Sequence, residues 1–128
     1  MTGYLLDTNI ALFALASPNR IPADVRRVID TEHCLLSVIS YWEVMLKSTK
    51  GKLHVGDPRV WWLESLELLA VVPLLFRPEH VSALHTLPPI HPDPFDRALI
   101  AQAIAERLTI ITTDSEIAQY EVECLRVS

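Results

Sequence analysis

Four carboxylates stand out in the sequence because each sits in a largely apolar stretch: Asp7 in LLDTN, Glu43 in SYWEVMLK, Asp96 in PFDRALIAQA and Asp114 in IITTD. A cluster of hard oxygen ligands, without cysteine and without histidines at ligand spacing, suits Mg2+ or Mn2+ rather than zinc. Such an ion lowers the pKa of a bound water, orients it for in-line attack on phosphorus and stabilises charge on the leaving oxygen. The chemistry to expect is phosphodiester hydrolysis. Each acid also has a structural explanation. Ser40 and Glu43 have capping-box spacing, Asp93, Pro94 and Asp96 fit the N-cap, first and third positions of a helix, and Asp7 and Asp114 are each placed to cap a helical turn on their C-terminal side.

The elements that must carry these residues alternate between strand and helix. Residues 3–6 form an apolar run ending at Asp7, and Ile10, Leu12, Phe13 and Leu15 come next at helical spacing. A second helix opens at Pro22 and runs to Ile29, strand two covers 33–36, and a helix over 38–50 stops at Gly51, where a left-handed cap is expected. Asp57 and Pro58 start a helix through Leu69. Val71 to Leu75 is a strand placed at a sheet edge by Pro73. Pro78 begins a short helix to about Leu84, a long helix covers 94–107, and strands are predicted over 108–112 and 122–127. Strands and helices in this order imply a parallel sheet covered on both faces. Sites in such sheets form beyond the carboxyl ends of the strands, where strand order reverses. Asp7 and Asp114 end strands there, and Glu43 and Asp96 lie in the first turns of helices leaving the same rim. Capping does not require acids from four segments to share one edge. Their mutual repulsion must be relieved by a cation or a proton, so at least one is expected to titrate above its ordinary value without metal.

Composition bounds the rest. The chain has 128 residues, reads as a single domain over 1–128, and is half hydrophobic, which excludes disorder. At this size about two-thirds of the surface is buried on folding. No apolar run reaches the ~20 residues of a membrane span and no basic region precedes the short apolar start, so a soluble, cytoplasmic protein is expected. Cys34 and Cys124 lie in apolar surroundings and read as free thiols. The net charge of −5 argues against a binder that coats phosphates with Lys and Arg, yet without those four acids 12 acidic residues face 11 basic ones, so the acidity is local.

Neighbouring residues have paired readings. Asn9 and Thr112 are placed either to hold a carboxylate or metal-bound water, or to make ordinary turn hydrogen bonds. Ser37 is placed to cap the helix of Glu43 and is a candidate to reach Asp7 as well. Lys47, four residues after Glu43, is an intrahelical ion pair or a phosphate contact. Arg97 and the basic residues Arg20, Arg26, Arg27, Lys50 and Lys52 are phosphate contacts or a solvated face. Trp42, Trp61 and Trp62 are core, subunit interface or base-stacking surfaces. Of the histidines only His91 sits beside the proposed site and, with no partner at ligand spacing, it reads as a loop hydrogen-bonding residue rather than a ligand.

The segments LLDTN, SxxSYWEVMLK, HPDPFDRALIAQA and IITTD, in this order across essentially the whole chain, resemble the PIN domain, specifically the VapC-type ribonuclease toxins of bacterial toxin–antitoxin systems. The resemblance implies a PIN-like three-layer α/β/α sandwich with a central, mainly parallel sheet. It further implies a Mg2+- or Mn2+-dependent endoribonuclease, homodimerisation, and inhibition by a cognate antitoxin lying over the site. By position the family's acidic quartet falls on Asp7, Glu43, Asp96 and Asp114, Asp93 is an added ligand or an N-cap, and Arg97 completes the family's DR pair. An RNA-processing nuclease outside such a system and a non-catalytic binding module are the alternatives. Receiver and haloacid-dehalogenase folds also place an aspartate after strand one. The former needs an acidic pair before it and the latter a second aspartate where this chain has Asn9.

Overall fold

Five short runs supply the strands of one sheet: β1 (Tyr4–Leu6), β2 (Cys34–Ser37), β3 (Val72–Leu74), β4 (Thr109–Thr112) and β5 (Cys124–Arg126). Six helices connect them: α1 (Thr8–Ala16), α2 (Ala23–Thr31), α3 (Val38–Thr49), α4 (Pro58–Leu68), α5 (Pro78–Leu84) and α6 (Pro94–Glu106). The structure is a computed structural model describing residues 3–127. The sheet order is β3-β2-β1-β4-β5 and every pairing is parallel, so the sheet expected to be mainly parallel is parallel throughout. Pro73 lies in the edge strand β3, paired only to Leu36 of β2, where its missing N–H costs no ladder bond on the outer side.

Successive residues of a strand face opposite ways, and the two cores obey that alternation. Leu6, Leu36 and Ile111 point into one core with Ile10 of α1, Ile29 of α2 and Trp61 of α4. Leu5 and Ile110 point into the other with Leu99 and Ile100 of α6. Helix α3 serves both, through Val44 on one side and Ile39 on the other. The result is a three-layer α/β/α sandwich.

Caps set the starts and ends that place the site. Asp57 accepts from Arg59 N at 2.9 Å and Asp93 from Phe95 N at 2.8 Å, each with proline at the first helical position as the sequence predicts. At α3 the cap is Ser37, as expected, accepting from Ile39 N at 3.0 Å; the other expectation is corrected, because Ser40 lies inside the first turn and forms no capping box with Glu43. β2 therefore runs into α3 without a loop. Gly51 takes the expected left-handed conformation (φ 72°) after α3, and Arg107 takes it (φ 56°) after α6. Gly3 fits because a Cβ there would lie 3.0 Å from His33 Cδ2 and 3.1 Å from the His33 carbonyl oxygen. Cys34 is buried, Cys124 is half-buried, and both are free thiols. Among the described residues no helix is long and apolar enough to cross a membrane.

Candidate active site

Strand order reverses between β1 and β4, and the acids collect at that point. Asp7 comes directly after β1, caps α1, and is buried at 4 % exposure. One of its oxygens accepts from Thr8 N at 2.7 Å and the other from the Thr112 hydroxyl at 2.6 Å. The same Thr112 oxygen accepts from Asp114 N at 3.0 Å, so one side chain fixes two of the acids. Glu43, one turn into α3, is also buried. Its Oε1 accepts from the Thr8 hydroxyl at 2.7 Å, which lies 2.9 Å from Ser40 Oγ, and its Oε2 pairs with Lys47 Nζ at 2.6 Å. Of the two sequence readings of Lys47, the structure shows the ion pair.

Asp96 and Asp114 meet on a histidine. His91 Nε2 lies 2.6 Å from Asp114 Oδ2 and 3.0 Å from Asp96 Oδ2. The nitrogen and one oxygen from each carboxylate fall within 4.8 Å of one another, a spacing able to hold a metal ion. Asp93 caps α6 through the Phe95 and Asp96 N–H groups, and Asp114 Oδ1 accepts from Glu116 N at 2.8 Å. Both cap-like roles foreseen in the sequence are thus present, and for Asp114 the role coexists with membership of the cluster.

Electrostatics bind the halves together. Burial pushes the Asp96 carboxyl up to about 7, and the charges of Asp7, Asp93 and Glu43 add to it. Asp7 is also raised, first by burial and then by Glu43 and Asp114, against the lowering effect of its Thr112 and Thr8 bonds. The expected upward titration is present, but desolvation leads and repulsion comes second. For His91, burial is the largest effect and lowers the pKa, yet the Asp114 hydrogen bond and the Asp96 and Asp114 charges outweigh it and leave the pKa raised.

A search of curated proteins finds no match for the sequence. The PIN domain family model matches residues 4–123. This chain belongs to the PIN domain family. Among solved structures its fold is similar to VapBC2 from Rickettsia felis bound to a promoter DNA fragment, at 15% identity over 98% of both chains with a TM-score of 0.73. It is similar to DNA-bound VapBC from Salmonella typhimurium at 15% identity over 100% of both chains (TM-score 0.72). It also resembles FitAcB from Neisseria gonorrhoeae, at 21% identity over 96% of both chains (TM-score 0.57).

In this PIN domain the other predicted site residues divide. Thr112 holds a carboxylate. Asn9 is exposed and lines an apolar groove with Leu12, Phe13 and Trp61, making no hydrogen bond to the acids among the described residues. Ser37 donates to Gln102 Oε1 at 2.6 Å rather than reaching Asp7, because α6 packs against the start of α3 and offers a nearer acceptor. Arg97 donates to the Pro88 carbonyl at 2.9 Å and to Tyr120 Oη at 3.2 Å, pinning the proline loop to α6. Trp61 is core, Trp62 stacks on Tyr41 at 4.9 Å between ring centroids, and Trp42 is 60% exposed, edge-on to Phe95 at 5.0 Å. Sequence reasoning missed Thr8 as the bridge from Asp7 to Glu43 and His91 as the bridge from Asp96 to Asp114. Thr8 had a signal, since a hydroxyl beside a buried aspartate at a helix start has few other places to donate.

Proposed function

We propose that this PIN domain is a Mg2+- or Mn2+-dependent endoribonuclease acting as the toxin of a toxin–antitoxin pair. The observation that carries the catalytic reading is the convergence of Asp7, Glu43, Asp96 and Asp114, from four separate segments, at the switch point of the sheet, where burial and mutual charge lift Asp96 to about 7. The donor set fits the ion: carboxylate oxygens predominate and no thiolate is near. Asp7, Asp96 and Asp114 would hold it together with Glu43, and it would supply Lewis acidity and an activated water for attack on phosphorus.

The chain's own residues supply the positioning. Thr112 and the Thr8 N–H clamp both oxygens of Asp7, the Thr8 hydroxyl and Lys47 clamp both oxygens of Glu43, and the Asp93 cap fixes the first turn of α6 that carries Asp96. Such clamping matters because a misplacement of about 1 Å can lower a rate on the order of 100-fold.

The toxin reading is supported by the match in fold, over at least 98% of both chains, to VapBC2 bound to a promoter DNA fragment and to DNA-bound VapBC. The partner proposed is an antitoxin protein, the substrate RNA met in the cytoplasm, and the assembly a homodimer. A guanidinium from the antitoxin would match the carboxylate rim bidentately. The test is cleavage of unstructured RNA by purified protein with Mn2+, and growth arrest on induced expression. Glu43→Gln should lose at least about 100-fold in cleavage and abolish growth arrest, with the melting temperature little changed. Cleavage near the wild-type rate would remove Glu43 from the site.

A further inference from the structure

We propose that His91 is an internal stand-in for the divalent ion and not one of its ligands: its Nε2–H holds Asp96 and Asp114 together and must give way when a cation binds. This rests on the reading of the acidic cluster as a metal site and names how that site's metal affinity is set.

The deciding contact is on the other ring nitrogen. The backbone N–H of Asp93 donates to His91 Nδ1 at 3.1 Å, so Nδ1 presents a lone pair and the ring proton sits on Nε2. Nε2 is 2.6 Å from Asp114 Oδ2 and 3.0 Å from Asp96 Oδ2. In this neutral tautomer Nε2 is a donor. A ligating histidine is arranged the opposite way: its bare nitrogen faces the metal and its other N–H donates to a carboxylate, carbonyl or water. Ligation through Nε2 here would put a proton on Nδ1, directly against the Asp93 N–H.

The surroundings hold the ring in that donor role. His91 N donates to Tyr120 Oη at 2.7 Å, and Arg97 donates to the same hydroxyl oxygen and to the Pro88 carbonyl, so the loop backbone is anchored on both sides of the ring. The side chain is 10% exposed. Asp114 already spends its other oxygen on Glu116 N, so a cation approaching Asp114 meets a donor on either oxygen. The positive end of the Nε2–H dipole offsets the charge that would attract the ion, and metal affinity becomes a competition between cation and imidazole.

Calorimetric titration of Mn2+ into the full chain, wild type against His91→Ala, tests this. The variant should bind on the order of tenfold more tightly, because a hydrogen bond to a charged group no longer has to be broken. Equal or weaker binding by the variant, with the wild type binding normally, overturns the role of His91 and leaves the metal site standing. Binding by neither protein overturns both. A measurement on wild type alone does not depend on the variant folding: long-range 15N–1H spectra of the imidazoles in chelator should show the Nε2–H tautomer for His91, and an Nδ1–H pattern would overturn the proposal.

Discussion

Two threonines and one imidazole carry the arrangement of the acids. Thr112 spans Asp7 and Asp114, Thr8 spans Asp7 and Glu43, and His91 spans Asp96 and Asp114, so each carboxylate is fixed by a neutral or donor neighbour rather than left to repel. That relief is incomplete at Asp96, whose carboxyl rises to about 7 against an unfolded value of about 3.9. A raised folded pKa gives stability that is fully present below the unfolded value and lost as pH rises through the folded one. Protein held in chelator should therefore lose melting temperature between about pH 4 and pH 7, and Asp96→Asn should flatten that decline. At neutral pH, Mn2+ should raise the melting temperature of wild type and barely move that of Asp96→Asn, because the ion binds the folded cluster and hardly the unfolded chain. A wild type whose melting temperature ignores both ions would remove the metal site.

At the scale of elements, the site depends on where α6 begins and where it ends. Asp93 fixes the beginning, and Arg107 ends the helix in a left-handed conformation that costs an L-residue other than Gly or Asn roughly 1–2 kcal/mol. Arg107→Gly should stabilise the protein by about 0.5–1 kcal/mol, allowing for the greater unfolded freedom of glycine, and chemical denaturation should show a higher midpoint at unchanged slope. A destabilised variant would mean that the Arg107 side chain contributes more than its backbone costs. The sequence pattern carries α6 on to Arg107, since nothing local marks an arginine as a terminator, whereas Gly51 and the Asp-Pro pairs at 57–58 and 93–94 were legible because their chemistry is local. Strand and helix order was legible for the same reason. Ser37 was half legible: its cap is local, but its bond to Gln102 joins residues 65 apart in sequence. His91 was legible as a hydrogen-bonding neighbour of the site but not as the bridge from Asp96 to Asp114, because Asp114 lies 23 residues on and only folding of the proline loop against the β4 end brings them together.

For the whole molecule, the net charge of −5 hides a division of charge that matters for a polyanionic substrate. The acids are gathered at the buried rim, while Lys47, Lys50 and Lys52 line a groove of about 370 Å3 beside Asp93 and Phe95. Lys47 is committed to Glu43, but among the described residues neither Lys50 nor Lys52 forms a salt bridge. Trp42 sits edge-on to Phe95 with its indole 60% exposed, where an unpaired base has a face to stack on. Under the ribonuclease reading, phosphates approach along the lysines and a base rests on Trp42. Those two contributions respond differently to salt, which separates them. Phosphate contacts release counterions, with a slope of about −0.7 in log affinity per log salt for each contact on a single strand. Binding of a short single-stranded RNA, measured in chelator to hold off cleavage, should lose about 1.4 of its salt slope in the Lys50→Gln/Lys52→Gln variant. Trp42→Ala should instead weaken binding by about 1–3 kcal/mol with the slope unchanged, since stacking releases no counterions. A double variant retaining the wild-type slope would show that the phosphates run elsewhere on the surface, and an unchanged affinity in Trp42→Ala would leave the indole to a protein interface.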